Sequence, residues 1–159
     1  MDKLLVFIDG SVNPKVRIGY GAYLAIFEHE LSHDSLQSKV KLKRFEETSS
    51  TKLELQTLLW ALSQVNGKNE RITVFTDSQN IIRLPGKRDA FVQNDYRSAK
   101  NVLLNNHELY REFYQIMDHL DCEFVKVQGH QPSSQKDRFD RLFTLVDRAS
   151  RKAMKEDCI

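Results

Sequence analysis

Cysteine is almost absent from this chain: two in 159 residues, Cys122 and Cys158, far apart in sequence. Two thiols at that separation make neither a zinc-ligand spacing nor a disulfide scaffold. There is one tryptophan and there are three prolines, with no low-complexity tract and no internal repeat on the domain scale. Nor does any apolar run approach the ~20 residues that a membrane-spanning helix needs. No apolar N-terminal stretch has the character of a signal peptide, so a reducing, cytosolic setting is the expectation, with no membrane partner. One-signed charge is lacking too: the formal net charge is only +2, and composition alone announces no polyanion ligand. What remains, 40% hydrophobic and 29% charged residues, is an ordinary globular composition, expected to form a single domain over residues 1–159.

Apolar periodicity orders that domain. Residues 3–8 read as a buried strand and 18–27, "IGYGAYLAIF", as a second, with glycines permitting close backbone approach. In 39–45, "KVKLKRF", Val40 and Leu42 alternate with lysines, the pattern of a half-exposed strand with one basic face. Short connections make these three an antiparallel meander. Leu55, Leu58, Leu59, Leu62 and Val65 fall at helical spacing, and Asn66-Gly67 supplies a stop. A strand at 71–76 follows this crossover helix and is therefore expected to run parallel to a strand of the same sheet. Residues 83–106 are polar and read as an irregular excursion; a helix through Leu109–Leu120, a strand at 122–127, a loop at 129–135 and a final helix through Phe139–Ala153 complete the order. The fold class is α/β: a mixed five-stranded sheet with helices on both faces.

Two of these strands end alike, "VFIDGS" at Asp9 and "VFTDSQN" at Asp77. Taken singly, Asp77 is a natural helix N-cap, Asp9 a turn residue, and Thr51-Lys52-Leu53-Glu54 spells a capping box. Taken together they change meaning. If the two strands are parallel neighbours about 4.8 Å apart, both aspartates face one small volume. Clustered carboxylates repel unless a cation neutralises them, and hard oxygen ligands suit Mg²⁺ or Mn²⁺. Two such ions roughly 4 Å apart make a clamp for in-line attack on a phosphodiester.

"FIDGS", "GYGAYL", "SSTKLELQTLLWAL", "VFTDSQN", "VQGH" and "LVDRASRKA", in that order, resemble the ribonuclease H type 1 family through nearly the whole chain. The resemblance implies the ribonuclease H-like fold and a two-metal-ion endoribonuclease that hydrolyses the RNA strand of RNA–DNA hybrids, leaving 5′-phosphates. It places metal-binding, catalytic acids at Asp9, Glu54, Asp77 and one acid of the final helix. "VDRASRKA" favours Asp147 there, while Asp140, two turns earlier, fits a shorter preceding loop; their Cα atoms lie roughly 10 Å apart, so the two are not interchangeable. His130, in the "GH" after the last strand, matches the family's mobile histidine, suited to proton transfer or product release. Ser50, Thr51 and Lys52 stand where the family often has Asn-Asn-Arg, a position from which side chains reach 2′-hydroxyls. Asn13 resembles a polar substrate-binding residue after the first strand. Asn106 resembles a residue of the family's DNA-phosphate pocket, with helix capping as the alternative. In the 83–106 excursion, Arg83, Lys87, Arg88, Arg97 and Lys100 outnumber Asp89 and Asp95, so it stands as a substrate handle or a merely solvated charge run. Phe91 and Tyr96 are its only possible stacking groups, and Trp60 reads as packing. The expected partner is an RNA–DNA hybrid and the expected state a monomer. Two other readings remain: a DNA-processing nuclease of the same fold, and a catalytically silent hybrid-binding module.

Overall fold

The computed structural model of the chain describes residues 3–31, 35–65, 71–128 and 137–157. Its centre is β1 (Lys3–Asn13), flanked by β2 (Ile18–Phe27) on one side and β4 (Arg71–Thr76) on the other. Beyond them lie β3 (Lys41–Phe45) and β5 (Asp121–Lys126), giving the order β3-β2-β1-β4-β5. β1–β2 and β2–β3 pair antiparallel, β1–β4 and β4–β5 parallel, as the sequence predicts.

β1 is an unbroken apolar run from Leu4 to Ile8 because both of its faces are covered. Leu4, Val6 and Ile8 join Ile72 and Val74 against α1 (Ser50–Val65) and α4 (His107–Met117). The intervening Leu5 and Phe7 join Leu24, Ile26 and Phe75 against Leu142, Phe143 and Val146 of α5 (Arg138–Asp157). A ladder of stacked rings, Phe7 on Phe75 at 4.6 Å and Phe75 on Phe139 at 5.1 Å, ties β1 and β4 to α5. Each fully buried ring or Leu side chain is worth about 1.5–3 kcal/mol, so the two layers fix where α1 and α5 lie over the sheet. Trp60 packs edge-on to Tyr23 at 4.8 Å, a packing role as the sequence reading has it.

The glycines of "IGYGAY" set the height of α1. A Cβ on Gly19 would come within 2.8 Å of Leu53 Cδ2, and one on Gly21 would overlap Thr57 Oγ1. The helix therefore rests directly on backbone, which brings Glu54 down to the strand ends.

Three expectations need correction. β1 does not stop at residue 8 before a Gly-Ser turn: Asp9 pairs with Ala22, and the hairpin extends to Asn13 paired with Ile18. The turn lies beyond, where Asn13 Oδ1 accepts the Lys15 N–H at 3.1 Å and Arg17 takes a left-handed φ of 57°. β3 begins at Lys41 and is an exposed edge strand rather than half-buried, with Leu42 46% accessible. Finally, 83–106 is not irregular from its start. α2 (Gln79–Arg83), a 3₁₀ turn (Leu84–Lys87) and α3 (Arg88–Gln93) carry its first part. Its aromatic residues hold it down: Phe91 stacks on Tyr110 at 4.9 Å and on Tyr96 at 5.7 Å, and Tyr96 is buried. Among the described residues no helix is long and apolar enough to cross a membrane.

Candidate active site

Where β1, β4, α1 and α5 meet, a cavity of about 390 Å³ is lined by Asp9, Glu54, Asp77 and Asp147, with Ser78 and Arg151 among their neighbours. Each acid arrives by a separate rule of local structure. Asp9 continues the alternation of Leu5 and Phe7, so its side chain leaves the sheet on the α5 side and hydrogen-bonds with the Asp147 carboxyl. Asp77 is the first residue past β4, whose parallel register with β1 (Phe7 opposite Phe75) brings it level with Asp9. Asp77 is not the helix cap: Ser78 is, its Oγ accepting the Ile81 N–H at 3.2 Å. The same hydroxyl donates to Glu54 Oε2. Glu54 in turn closes no capping box of its own, since the Lys52 N–H bonds Ser49 Oγ at 3.3 Å. Freed from the cap, Glu54 spans α1 to the β4 end.

Asp147 is the acid of the last helix that enters the cavity, and Arg151, one turn on, donates from Nε to its Oδ1 at 2.9 Å. Asp140 has a different task. Its N–H donates to Asp137 Oδ1 at 2.8 Å while its own carboxylate accepts the Asp137 N–H at 3.2 Å, a reciprocal box that starts α5.

The crowding has an electrostatic cost. Burial, then the hydrogen bond with Asp147, then the charge of Asp77 raise the Asp9 pKa far above the ordinary carboxylate range. Burial and Asp77 also raise Glu54, against the lowering effect of the Ser78 hydrogen bond. A cation placed among these oxygens would relieve both. Among the described residues no three His, Cys, Asp or Glu side chains form a ready-made metal cage. The four acids at the cavity offer only carboxylate oxygens, the chemistry that suits a hard cation such as Mg²⁺ or Mn²⁺.

The remaining candidates separate into neighbouring surfaces. Ser50 lines the acid cavity. Thr51, Lys52 and Asn106 line a second cleft of about 700 Å³ together with Arg17 and Ser49. Asn106 sits at the start of α4 but makes no side-chain cap bond. Asn13 lines a third groove, against α5. His130 lies outside the described residues. In the excursion, Arg88 is committed to a two-pronged ion pair with Asp118 (2.6 and 3.0 Å) and Arg97 to the Asn101 carbonyl at 3.1 Å. Sequence reading overlooked Ser78 and Arg151. The signals were present: a serine opening the helix after Asp77, and an Asp–Arg pair at i,i+4.

Ser78 joins a cap and an acid, so Ser78→Ala is expected to cost about 1 kcal/mol of stability, the usual loss for a cap. A lowered urea midpoint with unchanged m-value is the readout.

The RNase H family model matches residues 1–147. A ribonuclease H of Clostridium botulinum is 26% identical over 148 residues, covering 89% of this chain and 93% of its own. Among solved structures, the solution structure of the PFV RNase H domain superposes with a TM-score of 0.72 at 13% identity, covering 95% of this chain and 93% of that one. A foamy viral protease–reverse transcriptase in complex with an RNA/DNA hybrid contains the same fold, with a TM-score of 0.62 at 11% identity over 94% of this chain and 20% of its own. The expected fold and enzyme class are thereby borne out: the chain belongs to the RNase H family of ribonucleases.

Proposed function

We propose that the protein is a metal-dependent endoribonuclease that hydrolyses the RNA strand of RNA–DNA hybrids. The observation that carries this reading is the convergence of four carboxylates, from β1, α1, β4 and α5, on one cavity. A foamy viral relative of the same fold has been solved with an RNA/DNA hybrid, which supports the substrate class. Asp9, Glu54, Asp77 and Asp147 would hold two Mg²⁺ or Mn²⁺ ions, an all-oxygen donor set that suits hard cations. When bound, such ions supply a nucleophile at neutral pH and stabilise the charge of the leaving 3′-oxygen, giving 5′-phosphate and 3′-hydroxyl products.

The chain's own residues do the positioning. Ser78 aims Glu54, Arg151 steadies Asp147, and the Gly-floored seat of α1 holds Glu54 at the height of the strand ends. Ser50, at the cavity, is placed to meet the 2′-hydroxyl of the cleaved strand. The cleft of Thr51, Lys52, Asn106 and Arg17 is placed to take a phosphate of the uncleaved strand. His130 is assigned proton transfer or product release.

The test is an end-labelled RNA–DNA hybrid, single-stranded RNA and duplex DNA, each incubated with Mg²⁺, Mn²⁺ or chelator. Loss of the hybrid's RNA strand only with metal is expected. Cleavage of duplex DNA instead would move the protein to a DNA-processing role, and binding without any cleavage to a silent hybrid-binding one.

A further inference from the structure

Past Asp147, α5 becomes a basic stripe. Arg148, Arg151, Lys152 and Lys155 recur every three or four residues and are exposed, while Val146, Ser150 and Met154 face the core. With Val12, Asn13 and Pro14 of the β1–β2 hairpin these side chains line a groove of about 730 Å³. No acid lines it, and it shares Ser11, Val12 and Arg151 with the acid cavity, so the two are continuous.

Several cations elsewhere on the surface are held in ion pairs. Arg44 is paired with Asp157, Arg88 with Asp118, Lys39 with Glu30 and Lys3 with Glu123. Among the described residues, Arg148, Lys152 and Lys155 take part in no ion pair. Three unspent charges therefore stand beside a cavity whose own charge repels a polyanion. From Arg148 to Lys155 the stripe extends roughly 10 Å along the helix. Its apolar floor, Val12, Pro14 and Met154, suits sugar edges, and its cationic wall suits phosphates.

We propose that this groove holds backbone phosphates of the cleaved strand where that strand leaves the acid cavity, on the side away from the Thr51–Lys52–Asn106 cleft. The assignment rests on the hybrid-nuclease reading, because the strand over the acids is the one that continues into the groove.

The test compares wild type with the triple variant Arg148→Gln, Lys152→Gln, Lys155→Gln, all exposed positions whose replacement leaves the core untouched. Affinity for a short RNA–DNA hybrid is measured in chelator across a salt series. Losing three phosphate contacts should flatten the slope of log affinity against log salt by about 2–3, since each contact contributes about 0.7–0.9. In a second arm, neutral methylphosphonate linkages replace phosphates flanking the cut site in one strand at a time. Substitution in the RNA strand should weaken binding of wild type and leave the variant nearly indifferent. An unchanged salt slope overturns the groove, and indifference of the variant to the DNA-strand substitution instead overturns the strand assignment. Failure of wild type to cleave the hybrid in Mg²⁺ is a separate result and strikes the nuclease reading.

Discussion

Asp77→Asn is expected to abolish hybrid cleavage while leaving the fold intact. Asp77 is exposed, lies just outside β4, and does not cap α2, a task that Ser78 performs. The amide keeps the shape of the side chain and removes one charge from a cluster in which that charge is felt by both Asp9 and Glu54. Losing a single preorganised electrostatic group commonly costs about 10²–10³ in rate. On the proposed reading the loss should reach at least the upper end, because this carboxylate would hold a metal ion and so also set where the substrate phosphate sits. Single-turnover cleavage measures the rate, and thermal melting in chelator should show equal or slightly higher stability, since a repulsion has been removed. Asp140→Asn provides the contrast. It weakens the box that starts α5, so it should lower the melting temperature and leave cleavage nearly intact. Substantial activity in Asp77→Asn would remove Asp77 from the site, and none in a folded Asp140→Asn would put Asp140 there in place of Asp147.

The pair Asp9 and Asp77 was legible in the sequence because two apolar runs ending in the same way on parallel strands leave little geometric freedom. Glu54 was harder: Thr51 and Glu54 have the spacing of a capping box, and local pattern cannot reveal that Ser49 takes the cap and leaves the glutamate for Ser78. The choice between Asp140 and Asp147 was open for a similar reason. Seven residues apart they share a helix flank, and only the start of α5, fixed by Asp137, separates a capping acid from one in the cavity. The excursion misled for the opposite reason. Its helices are too short and polar for periodicity to register, and the anchors that stabilise them, Phe91 and Tyr96, act through α4, which lies later in the chain. Its arginines illustrate the same limit. Counted along the chain they form a basic handle, but in space Arg88 is paired with Asp118 and Arg97 with the Asn101 carbonyl, whereas the cations of α5, interrupted in sequence by Ala149, Ser150, Ala153 and Met154, come together only on one helix flank.

The largest expected effect on stability comes from a residue with no side chain. Gly21 lies in β2 opposite Gly10 of β1, and no glycine among the described residues has a positive φ, so its backbone would accept alanine without strain. By that criterion alone Gly21→Ala should stabilise the protein by about 0.4–1 kcal/mol through the unfolded chain. Contact decides otherwise. The added Cβ would overlap Thr57 Oγ1 and lie 3.0 Å from Thr57 Cγ2. Thr57 is buried, and the nearest atoms are those on and next to its Cβ rather than the end of a long flexible side chain, so room for the new Cβ has to come from a shift of α1 against the sheet. Overpacking of this kind costs about 1–3 kcal/mol, more than the entropic gain, so net destabilisation is expected. Because α1 has to lift to make room, Glu54, one turn before Thr57, lifts with it, and cleavage should fall together with stability. The neighbour offers its own rescue. Thr57 Oγ1 is buried without a hydrogen-bond partner among the described residues, so Thr57→Ala discards a desolvated hydroxyl and should cost little. Combined with Gly21→Ala it removes the overlapping atoms, and the double variant should recover about 1 kcal/mol relative to the sum of the single effects. Urea denaturation of the four proteins gives that coupling, and strict additivity would mean that α1 is held at its height by something other than the glycine floor.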